Sequence, residues 1–78
     1  MTTIRVCQLL VGHLINIAPK GQSPNIQKVC DISVFKNGKY IVAYKSFVYN
    51  GYFEIIFENQ HAKVDVYTEE EYIIESEN

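Results

Sequence analysis

The chain has 78 residues with a net charge of −2, and 47% of its residues are hydrophobic, including six tyrosines and four phenylalanines. This length holds one small domain, and the apolar content excludes an intrinsically disordered segment. The chain lacks the excess of lysine and arginine over acidic residues that is typical of nucleic-acid-binding domains. We expect a single folded domain over residues 1–75 and a frayed acidic C-terminus at residues 76–78.

The N-terminal part carries an apolar segment at residues 6–17, which three polar residues interrupt: Gln8, His13 and Asn16. The segment is too short for a membrane span and lacks the uninterrupted apolar centre of a secretory signal. We therefore expect a cytoplasmic protein in which Cys7 and Cys30 are reduced and buried as small hydrophobic side chains. A disulfide between the two cysteines is the open alternative.

Two short elements are predicted before the first turn. Residues 6–11 are typical of a helical turn or an irregular strand, and residues 14–17 predict a strand with Ile15 and Ile17 facing inward. A loop rich in proline and glycine follows at residues 18–25.

The dipeptide Asn37-Gly38 lies between two runs in which apolar residues recur at every second position, which is the strongest short-range signal of a β-hairpin. Two registers are open, because the loop can contain two or three residues. A three-residue loop with Gly38 in the left-handed conformation gives the better separation of polar and apolar faces. It gives three pairs of inward residues that lie opposite each other: Cys30 and Tyr44, Ile32 and Val42, and Val34 and Tyr40.

The dipeptide Asn50-Gly51 predicts a second turn, followed by a strand at residues 52–58 with its odd-numbered residues inward. A further strand is predicted at residues 62–67, and its inward residues are Ala62, Val64 and Val66. Five short strands joined mainly by tight turns predict an all-β fold, a meander curled into a small SH3-like or OB-like barrel.

The motif Val6-x-x-Leu9-x-x-Gly12-x-x-Ile15, followed by a meander, resembles the corresponding part of SH3-like small barrels. This resemblance concerns the fold and implies no function.

The C-terminal part begins with Thr68, which three glutamates follow. This order matches the Ser/Thr-x-x-Glu capping box and predicts a short helix that seats Tyr72 and Ile73 or Ile74 on the barrel. An edge strand over residues 68–75 is the competing interpretation.

The sequence contains no catalytic or metal-binding motif. The side chains that could ligate a metal, or pair as nucleophile and base, are widely spaced: Cys7, His13, Cys30 and His61. The four glycines form no phosphate-binding loop, and the glutamates at 69–71 favour a helix N-terminus over an acid–base pair. We therefore expect no enzymatic activity, no cofactor and no metal.

Surface residues remain as the candidates for function. The outward face of the first hairpin interleaves aromatic, aliphatic and basic side chains: Phe35, Lys36, Lys39, Ile41 and Lys45. The second turn adds Tyr49 and Tyr52, since tyrosine is enriched at binding hot spots. Residues 1–52 contain six basic residues and one acid, giving +5, whereas residues 53–78 contain eight acids and one lysine, giving −7. This asymmetry predicts a basic and an acidic side that orient a charged partner.

We therefore expect a non-catalytic protein-interaction module, a small adaptor or inhibitor that docks on a partner protein through these seven residues and its acidic C-terminal half. The alternative is a single-stranded nucleic-acid-binding barrel that uses Phe35 for stacking and Lys36, Lys39 and Lys45 for phosphates. Because the core of so small a domain is thin, a homodimer through an exposed strand edge is a further expectation. Membrane binding is not expected.

Overall fold

The computed structural model describes residues 1–46 and 50–77, which form one antiparallel sheet of six strands and one helix. The strands are β1 (Thr2–Arg5), β2 (Leu14–Asn16), β3 (Ile26–Val34), β4 (Tyr40–Ser46), β5 (Gly51–Phe57) and β6 (Lys63–Tyr67). A 3₁₀ turn at Val6–Gln8 follows β1, and helix α1 (Glu69–Glu77) follows β6.

The strands are arranged in the order β1-β6-β2-β3-β4-β5, so β1 and β5 are the two edges of the sheet. The all-β prediction is confirmed. Closure into an SH3-like or OB-like barrel is not confirmed, because no pairing joins β1 to β5 within the described residues. Strand β1 was not predicted: it has only four residues and aligns Ile4 with Val64 of β6.

The core is a cluster of six buried side chains: Val6, Leu9, Ile15, Val29, Val42 and Val64. Val6 and Leu9 come from the 3₁₀ turn and the residue after it, so this connection covers the inner face of the sheet. The Val6 N–H donates to the Ala62 carbonyl at 2.8 Å, which ties the turn to the residue just before β6. The predicted inward positions in β2 and β6 are confirmed, since Ile15 and Val64 are buried.

The hairpin of β3 and β4 has the predicted three-residue loop. Phe35 donates its N–H to the Lys39 carbonyl at 2.9 Å, and Gly38 has a φ of 86°. Ile32 lies opposite Val42 and Val34 opposite Tyr40, which confirms the predicted register in the half of the hairpin nearest the turn.

A β-bulge changes the register in the other half. Val29 lies opposite Tyr44, and the register shifts between Val29 and Asp31, so Cys30 is the extra residue. Because a bulge exchanges the faces of the strand on one side of it, Val29 is buried and Cys30 is exposed. The prediction that Cys30 faces inward is therefore wrong. The prediction that Cys7 is buried is wrong too, because Cys7 lies in the 3₁₀ turn and is exposed, and both thiols are free.

Helix α1 starts as the capping box predicts, and no edge strand forms at residues 69–77. Ile73 and Ile74 are more than half exposed, so the predicted seating of apolar residues on the sheet is only partial. Neither α1 nor any other helix in the described ranges has the length and apolar character that crossing a bilayer requires.

Candidate functional site

The face of β3, β4 and β5 that points away from the core is the surface on which the predicted site residues fall. Side chains alternate along a strand, so this face takes the odd-numbered residues of β4 and the even-numbered residues of β5. We call it the outer face and define it by these residues: Asp31, Ser33, Phe35, Lys39, Ile41, Ala43, Lys45, Tyr52, Glu54, Ile56 and Glu58.

The register arranges the outer face in rows across the strands. The row nearest the first turn contains Phe35, Lys39 and Glu58. The next row contains Ser33, Ile41 and Ile56, the third Asp31, Ala43 and Glu54, and the last Lys45 and Tyr52. Directly opposite residues in antiparallel strands have Cβ atoms about 5 Å apart, so the members of each row are neighbours.

Several large apolar side chains on this face are exposed to solvent. Phe35 is 52% exposed, Ile56 58% and Tyr52 70%, and Ile41 lies half-buried beside Ile56. Phe35 is diagonal to Ile41 across the end of the hairpin, so Phe35, Ile41 and Ile56 form one apolar line. Tyr52 lies two rows away, beside Lys45.

Ile56 was not among the predicted site residues, although the sequence contains a signal for it. The strand has its odd-numbered residues inward, and Ile56 is an apolar residue at an outward position. An apolar side chain that is out of phase with its strand faces solvent unless something covers it. The alternation of side chains along the strand also places Glu54 and Glu58 on the outer face, on either side of Ile56.

The charged residues of the outer face alternate in sign. Lys39 Nζ lies 3.6 Å from Glu58 Oε2, and both side chains are well exposed, so this ion pair contributes little to stability. Strand β4 comes from the basic part of the chain and β5 begins the acidic part, and the two strands are antiparallel neighbours. Basic and acidic residues therefore mix on this face instead of lying on separate sides.

The first turn fixes the position of Phe35 and Lys36. Gly38 donates its N–H to the Phe35 carbonyl at 2.9 Å, and the Asn37 side-chain oxygen accepts the Lys39 N–H at 3.1 Å. Lys36 is exposed at the tip, next to the outer face. The loop and the two strands thus present Phe35 and Lys36 on a hydrogen-bonded frame.

The structure brings five of the seven predicted site residues onto one face: Phe35, Lys39, Ile41, Lys45 and Tyr52. Lys36 lies beside them in the turn. Tyr49 lies outside the described residues. On the opposite face, the rings of Tyr44 and Phe53 stack with centroids 5.9 Å apart, which stabilises the pairing of β4 with β5 behind Lys45 and Tyr52.

A second apolar feature lies between α1 and the sheet. It is an open groove of about 380 Å³, lined by Leu14, Ile26, Gln27, Lys28, Glu69, Tyr72 and Ile73. Its lysine and glutamate provide one charge of each sign beside an apolar floor.

The histidines have local hydrogen-bond partners. His13 Nδ1 accepts the Leu10 N–H at 3.1 Å, and His61 Nε2 lies 3.4 Å from the Gln60 side-chain nitrogen. Across residues 1–46 and 50–77, no three histidine, cysteine, aspartate or glutamate side chains come close enough to hold a metal ion.

No family model, curated protein or solved structure matches the chain. The outer face carries Tyr52 and Phe35, the two most exposed aromatic side chains of the described residues.

Proposed function

We propose that the protein is a non-catalytic protein-interaction module, a small adaptor or inhibitor that docks on a partner protein through the outer face. The observation that carries this proposal is the exposure of Phe35, Ile56 and Tyr52 on one side of a regular sheet. Exposed apolar residues that charged residues surround are typical of protein-binding surfaces.

We expect the free energy of binding to come mainly from the apolar line of Phe35, Ile41 and Ile56, and not from the charged side chains. Burying a side chain of the size of Phe35 or Ile56 contributes about 1.5–3 kcal/mol. Tyr52 adds a large side chain with few rotatable bonds, and tyrosine is enriched among the residues that contribute most to binding. Exposed charges such as Lys39 and Glu58 mainly set the orientation and the association rate of a charged partner.

The acidic C-terminal half belongs to the proposal as the second contact with the partner. Glu54 and Glu58 lie on the outer face, and Glu69 and Glu70 are exposed at the start of α1. A partner that approaches along β5 meets Glu54 and Glu58 beside the apolar line, and a basic rim on the partner would complement them.

We propose two further properties of the protein, its cellular location and its relationship to known folds. The first is a cytoplasmic location, because a reducing compartment keeps free exposed thiols such as Cys7 and Cys30 reduced. The second is a structural relationship of the open six-stranded sheet to SH3-like or OB-like barrels. Docking through the outer face requires a firm sheet and does not depend on barrel closure.

The single-stranded nucleic-acid alternative has less support. It needs Phe35 as a stacking platform with Lys36, Lys39 and Lys45 along the path of the phosphates. Lys39 already contacts Glu58. Lys45 lies opposite Tyr52, and Glu54 is the next outward residue after Tyr52 on β5. Carboxylates at these positions repel phosphates and reduce the gain from releasing counterions.

Salt-dependent binding separates the two functions. The chain is passed over heparin and a single-stranded oligonucleotide at low salt, together with the double variant Lys39→Glu/Lys45→Glu. The docking proposal predicts no retention of either protein. Retention of the wild type that falls steeply with salt and disappears in the double variant would favour nucleic acid.

The docking proposal itself is tested with paired surface variants. Partners are captured from the source cell, identified by mass spectrometry and titrated against Tyr52→Ala/Ile56→Ala and against Leu10→Ala/Val11→Ala. Leu10 and Val11 are exposed apolar residues outside the outer face, so this variant removes similar area elsewhere. We expect the outer-face variant to bind a partner at least about tenfold more weakly and the control to bind normally. Equal binding by both variants would contradict the proposal.

A further inference from the structure

The two edges of the sheet differ in how they meet solvent. Edge strand β1 has four residues, two of them threonine, and ends in Arg5. Edge strand β5 has seven residues with apolar side chains on both faces and contains neither lysine nor proline. Natural edge strands are usually kept from pairing by shortness, by charged side chains or by proline, and β5 carries one charged residue, Glu54, so it has little of this protection.

The hydrogen bond from the Phe35 N–H to the Lys39 carbonyl determines which backbone N–H and C=O groups of β5 point away from β4. Because bonding directions alternate along antiparallel strands, the odd-numbered residues of β4 bond to β3 and the even-numbered ones to β5. Val42 lies opposite Ile55, so the odd-numbered residues of β5 bond to β4. The N–H and C=O groups of Tyr52, Glu54 and Ile56 therefore point to the open edge, where no described strand pairs with them.

We propose that this edge pairs with β5 of a second copy of the chain, antiparallel and around a two-fold axis at Ile55. Glu54 then lies opposite Ile56 of the second copy, and Tyr52 lies opposite Glu58. The even-numbered residues of the two strands exchange backbone hydrogen bonds. The two sheets join into one continuous sheet.

A second copy suits β5 as the occupant because the strand is self-complementary around Ile55, where no like charges lie opposite each other and inner-face residues meet inner-face residues. An axis at Glu54 places that carboxylate opposite itself, and an axis at Ile56 places Glu54 opposite Glu58 twice. Like charges directly opposite each other destabilise an antiparallel pair. An axis between two residues would place inner-face residues opposite outer-face ones, which the amphipathic pattern disfavours.

The register around Ile55 also creates favourable pairs. On the inner face, Phe53 lies opposite Phe57 of the second copy, and this pair occurs twice by symmetry. Phe53 stacks on Tyr44 and is 40% exposed in the single chain, so pairing would cover more of its ring. On the outer face, the Tyr52 hydroxyl can donate to the Glu58 carboxylate.

The dimer does not rest on the proposed docking function. Strand addition uses the edge of β5, whereas docking uses the outer face, which remains open in the dimer. The two outer faces become adjacent and present two copies of Tyr52 and Ile56 on either side of the axis. A partner with two sites would then bind with avidity.

The first test compares Glu54→Pro with Glu54→Ala by analytical ultracentrifugation. Proline at this position removes an N–H that points to the open edge and leaves the hydrogen bonds to β4 in place, whereas alanine keeps the N–H. We expect the wild type and Glu54→Ala to reach twice the 9.0 kDa of one chain. The dissociation constant of Glu54→Pro should be at least about tenfold higher, because symmetry removes two hydrogen bonds at once.

Circular dichroism checks that Glu54→Pro is folded. A wild type that stays monomeric at high micromolar concentration would overturn the proposal, and so would a Glu54→Pro variant that dimerises normally. Glu54→Ala and Glu54→Pro remove the same outer-face carboxylate and differ in the backbone N–H, so titrating a captured partner against both measures the effect of dimerisation on docking. The comparison of Tyr52→Ala/Ile56→Ala with Leu10→Ala/Val11→Ala tests docking itself, so failure of one idea is distinguishable from failure of the other.

The second test maps the register by disulfide trapping in a Cys7→Ser/Cys30→Ser background. Ile55→Cys should form a covalent dimer, because facing residues that are not hydrogen-bonded have Cα atoms about 4.5 Å apart, within the range of a disulfide. Glu54→Cys and Ile56→Cys are the matched controls, and faster trapping of either would overturn the register. The double variant Tyr52→Cys/Glu58→Cys changes exposed residues and should also cross-link. It replaces Ile55→Cys if that variant fails to fold.

Discussion

Thr68 and Glu71 bind each other through two reciprocal hydrogen bonds at the start of α1. Thr68 Oγ1 accepts the Glu71 N–H at 3.1 Å, and Glu71 Oε1 accepts the Thr68 N–H at 3.0 Å. The other carboxylate oxygen of Glu71 contacts the Met1 ammonium group, which links the helix to the residue before β1. Because Ile73 and Ile74 are mostly exposed, packing supports this nine-residue helix only weakly, and the cap carries much of its stability.

Replacing the capping hydroxyl should loosen α1. Thr68→Ala removes the acceptor for the Glu71 N–H and is expected to destabilise the helix by about 1 kcal/mol. Amide exchange of residues 71–74, measured by NMR, should accelerate, while exchange in the sheet should change little. Thr68→Ser keeps the hydroxyl and should behave like the wild type. Unchanged exchange in Thr68→Ala would show that the capping box contributes nothing to this helix.

The bulge in β3 gives a second prediction, because it assigns neighbouring residues opposite roles. Val29 is 1% exposed in the core, whereas Cys30 is exposed. Val29→Ala removes two buried carbon atoms and should lower the free energy of unfolding by about 2 kcal/mol. Cys30→Ala should change it by less than about 0.5 kcal/mol. Urea denaturation measures both values, and a larger loss for Cys30→Ala would mean that the strand has the register without a bulge.

Much of the fold could be predicted because local signals were strong. The dipeptide Asn37-Gly38 determined the loop and the register of the adjacent residues, and Thr68 with Glu71 marked the helix start. These features depend on residues within a few positions of each other. The bulge at Cys30 and the strand β1 depend on distant partners, Tyr44 in one case and β6 in the other. No local pattern contains that information.

The candidate site was predictable to a similar degree. Alternation placed Lys39, Ile41 and Lys45 on one outward face, and the structure has that arrangement. The mixing of charges was not predicted, because the sum of charges along the chain does not say which strands are neighbours. The pairing of β4 with β5 places Glu58 beside Lys39, and thereby reduces the basic character on which the nucleic-acid alternative depends.

The first turn should be sensitive to the loss of glycine. Gly38 has a φ of 86°, and a Cβ built there meets no atom within 4 Å, so the cost of Gly38→Ala is conformational and not steric. We expect the free energy of unfolding to fall by about 1–2 kcal/mol in thermal or urea denaturation. Gly38→Asn should lose less, because asparagine tolerates the left-handed region better. Equal losses for both variants would contradict this explanation.

The exposure of both cysteines gives a final prediction that opposes the expectation from the sequence. Cys7 lies in the 3₁₀ turn and Cys30 in the bulge, and both thiols are free and exposed. Both should therefore react with a soluble thiol reagent without denaturant, at rates close to that of a short unfolded peptide, because solvent access limits the reaction of a buried thiol. Cys7→Ser and Cys30→Ser each leave one thiol, so the two rates can be measured separately. A Cys30 that reacts only after unfolding would show that it faces the core, and the bulge would then be absent in solution.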